Sequence, residues 1–169
     1  MKLTSCLALL FVATADILAS AAGSNSKAVR CTPPYKGKGY GKAYNHKCSL
    51  RTVTYPEGTP CLPVDNGGKP KDRPGLCKNN KCKPHYDLGA EEQVCVFPLS
   101  LAQCPEKEHT GKNALQYCTY TCKINDQWYF GYYKSHGVSK CILPGSTNEL
   151  GACCYGKCIP KNAPCPVPN

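Results

Sequence analysis

The side chains best equipped for chemistry are four histidines and fifteen cysteines in a chain of 169 residues. The histidines, His46, His85, His109 and His136, stand in no recognisable arrangement with a nucleophile and a carboxylate. No His-Glu-x-x-His pair is present to hold a hydrolytic zinc, and no Gly-x-Ser-x-Gly elbow to present a serine. Cys153-Cys154 is a dipeptide that secreted phospholipases also carry, but the His-Asp pair those enzymes need does not follow it. Cys77 and Cys82, and Cys118 and Cys122, have spacings at which zinc thiolates occur. The rival use of such cysteines is the disulfide, and the compartment decides between the two.

Met1 to Ala22 have the layout of a secretory signal: Lys2, an apolar run from Leu7 to Ala13, then small residues around Ala19-Ser20-Ala21. Cleavage is expected near Ala21. The run is too short to span a bilayer, which takes about 20 apolar residues, and Asp16 interrupts it. No later segment is apolar for long enough. The mature protein is expected to be extracellular, and its oxidising surroundings favour disulfides over metal. Cys6 belongs to the signal, which leaves an even set: Cys31, Cys48, Cys61, Cys77, Cys82, Cys95, Cys104, Cys118, Cys122, Cys141, Cys153, Cys154, Cys158 and Cys165. A catalytic cysteine would need a free thiolate, which an even oxidised set does not supply. The expectation is a binding protein with no enzyme activity, cofactor or metal. No Asn-x-Ser/Thr sequon marks it for N-glycosylation.

The elements that hold these cysteines are short. Gly and Pro each number 15, against three Phe and one Trp. This favours small β-hairpin modules with irregular loops and little helix, stapled by bridges worth about 2–4 kcal/mol each. Pro33 to Lys47 is Gly-rich and basic without period and reads as a flexible loop. Val53 and Tyr55 alternate as a short strand, Gly58 and Pro60 mark a turn, and Asn79-Asn80 suits a tight hairpin turn because Asn tolerates positive φ.

The plan then repeats. Gly151-Ala152-Cys153-Cys154-Tyr155-Gly156-Lys157-Cys158 matches Gly75-Leu76-Cys77-Lys78-Asn79-Asn80-Lys81-Cys82, and Gly137 precedes Cys141 as Gly58 precedes Cys61. Two tandem cysteine-rich modules follow the signal of residues 1–22: a basic one at 23–90 and a second at 91–169, with the linker near Pro84 to Glu92. The first holds five cysteines and the second nine. Both counts are odd, so full oxidation within the chain requires at least one bridge between them. Position 52 is Thr where the second module has Cys122. The cysteine stranded by that change is expected to pair with an extra cysteine of the second module. The remaining connectivity stays open.

Charge is divided unequally. Residues 24–90 carry thirteen Lys and Arg against four Asp and Glu, and residues 91–169 carry seven against six. A basic patch on an extracellular protein favours anionic partners such as sulfated glycans, anionic lipid surfaces or acidic protein faces, and nucleic acid is not expected in that compartment. In the aromatic run Trp128-Tyr129-Phe130-Gly131-Tyr132-Tyr133, Trp128 and Phe130 read as core of a strand, and Tyr132 and Tyr133 are candidate partner contacts.

Cys104, Cys118-x3-Cys122, the aromatic cluster, Gly137, Cys141 and Gly151-x-Cys153-x4-Cys158 resemble the six-cysteine framework of the tick salivary basic-tail proteins, also called tick salivary peptide group 1. Cys31, Cys48, Cys61, Cys77 and Cys82, with Thr52, look like a degenerate copy of it. The resemblance implies a saliva protein that modulates host haemostasis, an anticoagulant docking electrostatically on a coagulation protease or its surface assembly. The alternative is a chemokine- or complement-binding protein of immune evasion. A structural role, like that of the cysteine-rich modules of secreted metalloproteases, is a third reading. The family's Lys-rich tail has no counterpart in Cys165-Pro166-Val167-Pro168-Asn169. Its anion-binding role is therefore expected in Lys36, Lys38, Lys42 and Lys47.

Overall fold

The computed structural model describes Cys31 and residues 38–50, 53–135 and 138–167. The signal segment, Lys36, Thr52, His136 and Gly137, on which expectations above fell, lie outside the described residues. The fold is a small disulfide-rich β structure: eleven short strands, one turn of α-helix and three single turns of 3-10 helix among the described residues. No helix there is long and apolar enough to cross a membrane.

The first half is organised by a four-stranded sheet of β1 (Gly41–Tyr44), β4 (Pro60–Val64), β5 (Gly75–Lys78) and β6 (Lys81–Pro84), in that order. β1 runs parallel to β4, and the other neighbours are antiparallel. A two-stranded ribbon, β2 (Ser49–Leu50) with β3 (Val53–Thr54), follows β1. The second half has a two-stranded ribbon, β7 (Thr119–Ile124) with β8 (Gln127–Tyr132). Its three-stranded sheet is β9 (Lys140–Ile142), β10 (Leu150–Cys154) and β11 (Lys157–Pro160), with β10 in the centre.

Turn chemistry sets the hairpins. Asn79 and Asn80 have φ of 49° and 60°, so both central residues of the β5–β6 turn are left-handed, the geometry whose twist suits a two-residue hairpin. Asn125-Asp126 does the same between β7 and β8, with φ of 48° and 63°. Between β10 and β11 the turn is Tyr155-Gly156, with φ of 41° and 85°. Glycine is required at 156 twice over: by its φ, and because a Cβ would lie 2.8 Å from the Tyr132 ring.

The cysteines form seven bridges, with paired Cα atoms 5.4–5.9 Å apart. Cys48–Cys77 and Cys61–Cys82 fasten the first half, and Cys118–Cys153 and Cys141–Cys158 occupy corresponding places in the second. Cys104–Cys122 has no such counterpart. Cys31, which would be the counterpart of Cys104, bonds instead to Cys95. This is the crossing bridge that the odd counts demand. Cys154–Cys165 ties down the segment after β11. Cys77, Cys82, Cys118 and Cys122 are therefore all disulfide partners, and a sulfur so bonded is not a thiolate ligand. Disulfides in this number belong to oxidising, extracellular surroundings.

One expectation needs correction. The Gly- and Lys-rich stretch does not continue as a flexible loop to residue 47, because Gly41–Tyr44 is a sheet strand and Tyr40 is among the most buried residues. Glycine and lysine hide the pattern: Gly41 and Ala43 are the inward positions of β1, and they are small because the strand lies against the Tyr55 ring and the disulfides Cys48–Cys77 and Cys61–Cys82. The segment near Pro84 to Glu92, read as the linker, forms turns of helix at His85–Asp87 and Ala90–Gln93, and Leu88 packs with Leu76, Cys95 and Val96.

The core does not divide at residue 90. Its main cluster joins Tyr40, Leu62 and Val64 to Leu101 and Phe130, with Phe97, Trp128 and Tyr132 packed against it. Tyr40 is the hinge-pin. Its N–H donates to the Trp128 carbonyl at 2.8 Å, its hydroxyl donates to the Val96 carbonyl at 2.8 Å, and its ring leans on Phe130. Burial holds the Tyr40 phenol well above its ordinary pKa, so it stays a donor. Chemical denaturation with the bridges intact should show Tyr40→Ala less stable by about 3–5 kcal/mol. Tyr40→Phe, which removes only the hydroxyl and strands the Val96 carbonyl, should lose about 1–3 kcal/mol.

Candidate functional site

The four lysines singled out in the sequence do not form one patch. Lys36 is outside the described residues. Lys38 is exposed beside Gly39, which abuts the Trp128 carbonyl. Lys42 is half-buried on β1 and turned toward the second half, where its Nζ lies 3.3 Å from Asp126. Asp126 also takes Lys123 at 2.6 Å, and Lys123 first and Lys42 second hold its carboxyl below the ordinary range. Lys42 is thus partly neutralised.

Lys47 has different company. It forms a bridge directly opposite Lys81, and Lys83 stands two residues further along β6 on the same face. Lys47, Lys81 and Lys83 are exposed and make no ion pair among the described residues. Lys78, opposite Lys81 on β5, pairs with Glu92, which raises the lysine and lowers the glutamate from their ordinary pKa values. Like charges directly opposite on neighbouring strands are destabilising, so this edge concentrates positive charge at a cost to the fold. Lys81 and Lys83 were missed in the sequence. Their signal was Lys81-Cys82-Lys83 itself: with the cysteine turned inward, period 2 turns both lysines out.

The corresponding register positions of the second half carry another surface. By the hairpin match, Lys81 and Lys83 correspond to Lys157 and Ile159, and Lys47, before Cys48, corresponds to Tyr117, before Cys118. Tyr117, Lys157 and Ile159 line a cleft of about 950 Å³. Its walls are mainly apolar, with Phe97, Tyr132 and Leu143 among them. Behind Tyr117 lies Arg73: its guanidinium carbon is 4.0 Å from the ring centroid, and its Nη1 donates to the Thr119 carbonyl at 3.1 Å. Arg73 makes no ion pair among the described residues. Adjacent Asp72 accepts instead from the Tyr86 hydroxyl, at 2.9 and 2.7 Å to its two oxygens. Burial lowers the Arg73 pKa without removing its charge. His85 also lines the cleft, edge-on to Phe97 and Tyr117, and its buried Nδ1 has no hydrogen-bond partner among the described residues.

Tyr132 and Tyr133 go to different places. Tyr132 is a cleft wall backed by Phe130. Tyr133 packs against Tyr120 and His109, and Lys107 lies 3.7 Å from the Tyr120 ring centroid and 5.2 Å from that of Tyr133. Of the two residues of the aromatic run read as core, Phe130 is fully buried, and Trp128 is half-buried and packs against the same cluster.

Comparison with protein-family models, with curated proteins and with solved structures finds no match to this chain.

The groups behind the cleft can be tested by titration. Hydrogen bonding to Asp72 pushes the Tyr86 phenol up to about 12. The ultraviolet difference titration between the protein and Asp72→Asn should isolate one tyrosine that returns toward about 10 in the variant. Burial first, and the Arg73 charge second, lower the His85 imidazole. Its NMR midpoint should fall below the ordinary value of about 6.5 and rise in Arg73→Gln. His85 thus stabilises the fold in its neutral form: the contribution is present above the ordinary imidazole pKa and fades as pH falls below it.

Proposed function

We propose that this chain is a secreted binding protein that modulates host haemostasis, docking through the Lys47–Lys81–Lys83 edge on an acidic face of a coagulation protease or of its surface assembly. The observation that carries the reading is that edge: three exposed lysines without an ion pair among the described residues, two of them directly opposed across a bridge. The disulfide frame holds the backbone beneath them, since Cys48 and Cys82 are the neighbours of Lys47 and of Lys81 and Lys83, and both cysteines are buried. A rigid display of charge gains affinity by reducing the entropy lost on docking. The resemblance to the tick salivary basic-tail proteins supplies the haemostatic setting.

The same reading takes the chain as two tandem cysteine-rich units, 23–90 and 91–169, built on one plan. The matching bridges support this, as does a parallel pairing ahead of the first hairpin cysteine in each: Gly41 with Cys61, and Leu115 with Cys141. The first unit then carries the charge and the second most of the cleft, to which His85 and Ala90 of the first also contribute.

The oxidised mature protein should prolong clotting of plasma and be retained on immobilised heparin, with retention falling as salt rises. Lys47→Ala/Lys81→Ala/Lys83→Ala should weaken both by roughly tenfold, whereas Lys112→Ala/Lys140→Ala/Lys161→Ala, also exposed, should not. Unaltered clotting at micromolar wild-type protein would overturn the haemostatic reading. A tight, salt-insensitive complex with a chemokine or complement component would replace it with immune evasion.

A further inference from the structure

We infer that the cleft of the second half is a binding site for a small amphipathic acid, a molecule with one apolar body and one anionic head. Its size comes first. About 950 Å³ is at the upper end of the range in which small-molecule sites fall. Its walls come from segments held by bridges: Tyr117 and Thr119 flank Cys118, Ile142 follows Cys141, and Lys157 and Ile159 flank Cys158. Gly156 lets the β10–β11 turn pass close to Tyr132, which shapes the opposite wall. A wall so fixed is largely formed before a ligand arrives, which keeps the entropy lost on binding small.

Charge selects the head group. Among the described residues no Asp or Glu lines the cleft, the only charged side chain on it is Lys157, and the only other ionisable nitrogen side chain is His85. Arg73 adds a second positive charge behind Tyr117 and Thr119, without an ion pair among the described residues. Positive charge beside an apolar wall attracts an anion more strongly than it would in open water, because the local dielectric is lower. A cationic amphiphile would meet the same walls and the opposite electrostatics. The apolar body has Phe97, Leu143, Ile159 and the ring of Tyr132 to cover it.

This site is distinct from the lysine edge, and its test does not depend on clotting. The probes are laurate below its micellar concentration, dodecyltrimethylammonium at equal concentration, and anilinonaphthalene sulfonate as fluorescent reporter. The reporter should brighten on binding the oxidised full-length mature protein, and laurate should displace it. The cationic amphiphile should bind at least tenfold more weakly. Laurate should shift the methyl resonances of Val94, Leu143 and Ile159 and leave those of Leu62 and Val64 in place. Lys157→Glu changes an exposed rim residue and should weaken laurate about fivefold. Leu143→Trp should fill the cleft and abolish binding, with the β-sheet circular dichroism checked in both variants. Lys47→Ala/Lys81→Ala/Lys83→Ala should bind laurate as well as wild type does. Equal affinity for the two amphiphiles overturns the charge selection. Methyl shifts confined to residues outside the cleft, or no displacement, overturn the site.

Discussion

Cys77 and Cys82 stand opposite one another on β5 and β6, as Cys153 and Cys158 do on β10 and β11, yet in neither hairpin does the pair bond to itself. Each sulfur reaches to a different earlier segment. A hairpin with arms of four or five residues, which alone would be marginal in water, is thereby nailed at one level to a strand, at Cys61 or Cys141, and to the residue just ahead of another strand, Cys48 or Cys118. The sulfurs of Cys48, Cys61 and Cys77 lie within 4.8 Å of one another, and so do those of Cys118, Cys141 and Cys153. Covalent sulfur takes the place that aliphatic side chains fill in a larger domain, so the outer faces of the hairpins are released from core duty. They can carry lysine in one half and an apolar cleft in the other without a change of backbone plan.

What joins the halves is of another kind. Tyr40 and Phe130 share an ordinary apolar cluster, Tyr40 donates hydrogen bonds to the Trp128 and Val96 carbonyls, and Arg73 reaches Thr119 across the same boundary. The molecule is thus rigid locally by covalent bonds and united globally by packing and one disulfide, Cys31–Cys95.

Some of this was legible in the sequence because the cause was local or arithmetical. Asn79-Asn80 announced its turn through the tolerance of Asn for positive φ, and odd cysteine counts demanded a bridge between the halves whatever its partners. Gly41 to Tyr44 was hidden because the strand needs small inward residues against a disulfide, and glycine and alanine leave no hydrophobic period. Asn125-Asp126 is the same turn as Asn79-Asn80 but lies beside an aromatic run that drew attention to burial instead. The lysine edge was half visible: Lys47 was recognised, whereas Lys81 and Lys83 depend on strand register. The cleft was invisible, because Arg73 and Tyr117, 44 positions apart in the chain, meet in space, a contact that no local pattern encodes.

The Cys31–Cys95 bridge also determines what an extracellular protease can achieve. The stretch around Gly89, Ala90 and Glu91 is exposed and is the obvious place for a nick. A cut there divides the chain between the two cysteines, yet the fragments remain covalently one molecule, with the Tyr40–Phe130 contact still in place. Such a nicked form migrates as one species until it is reduced and as two afterwards. The Lys47–Lys81–Lys83 edge lies clear of the cut, whereas Ala90 lines the cleft, so the nick falls on a wall of that site.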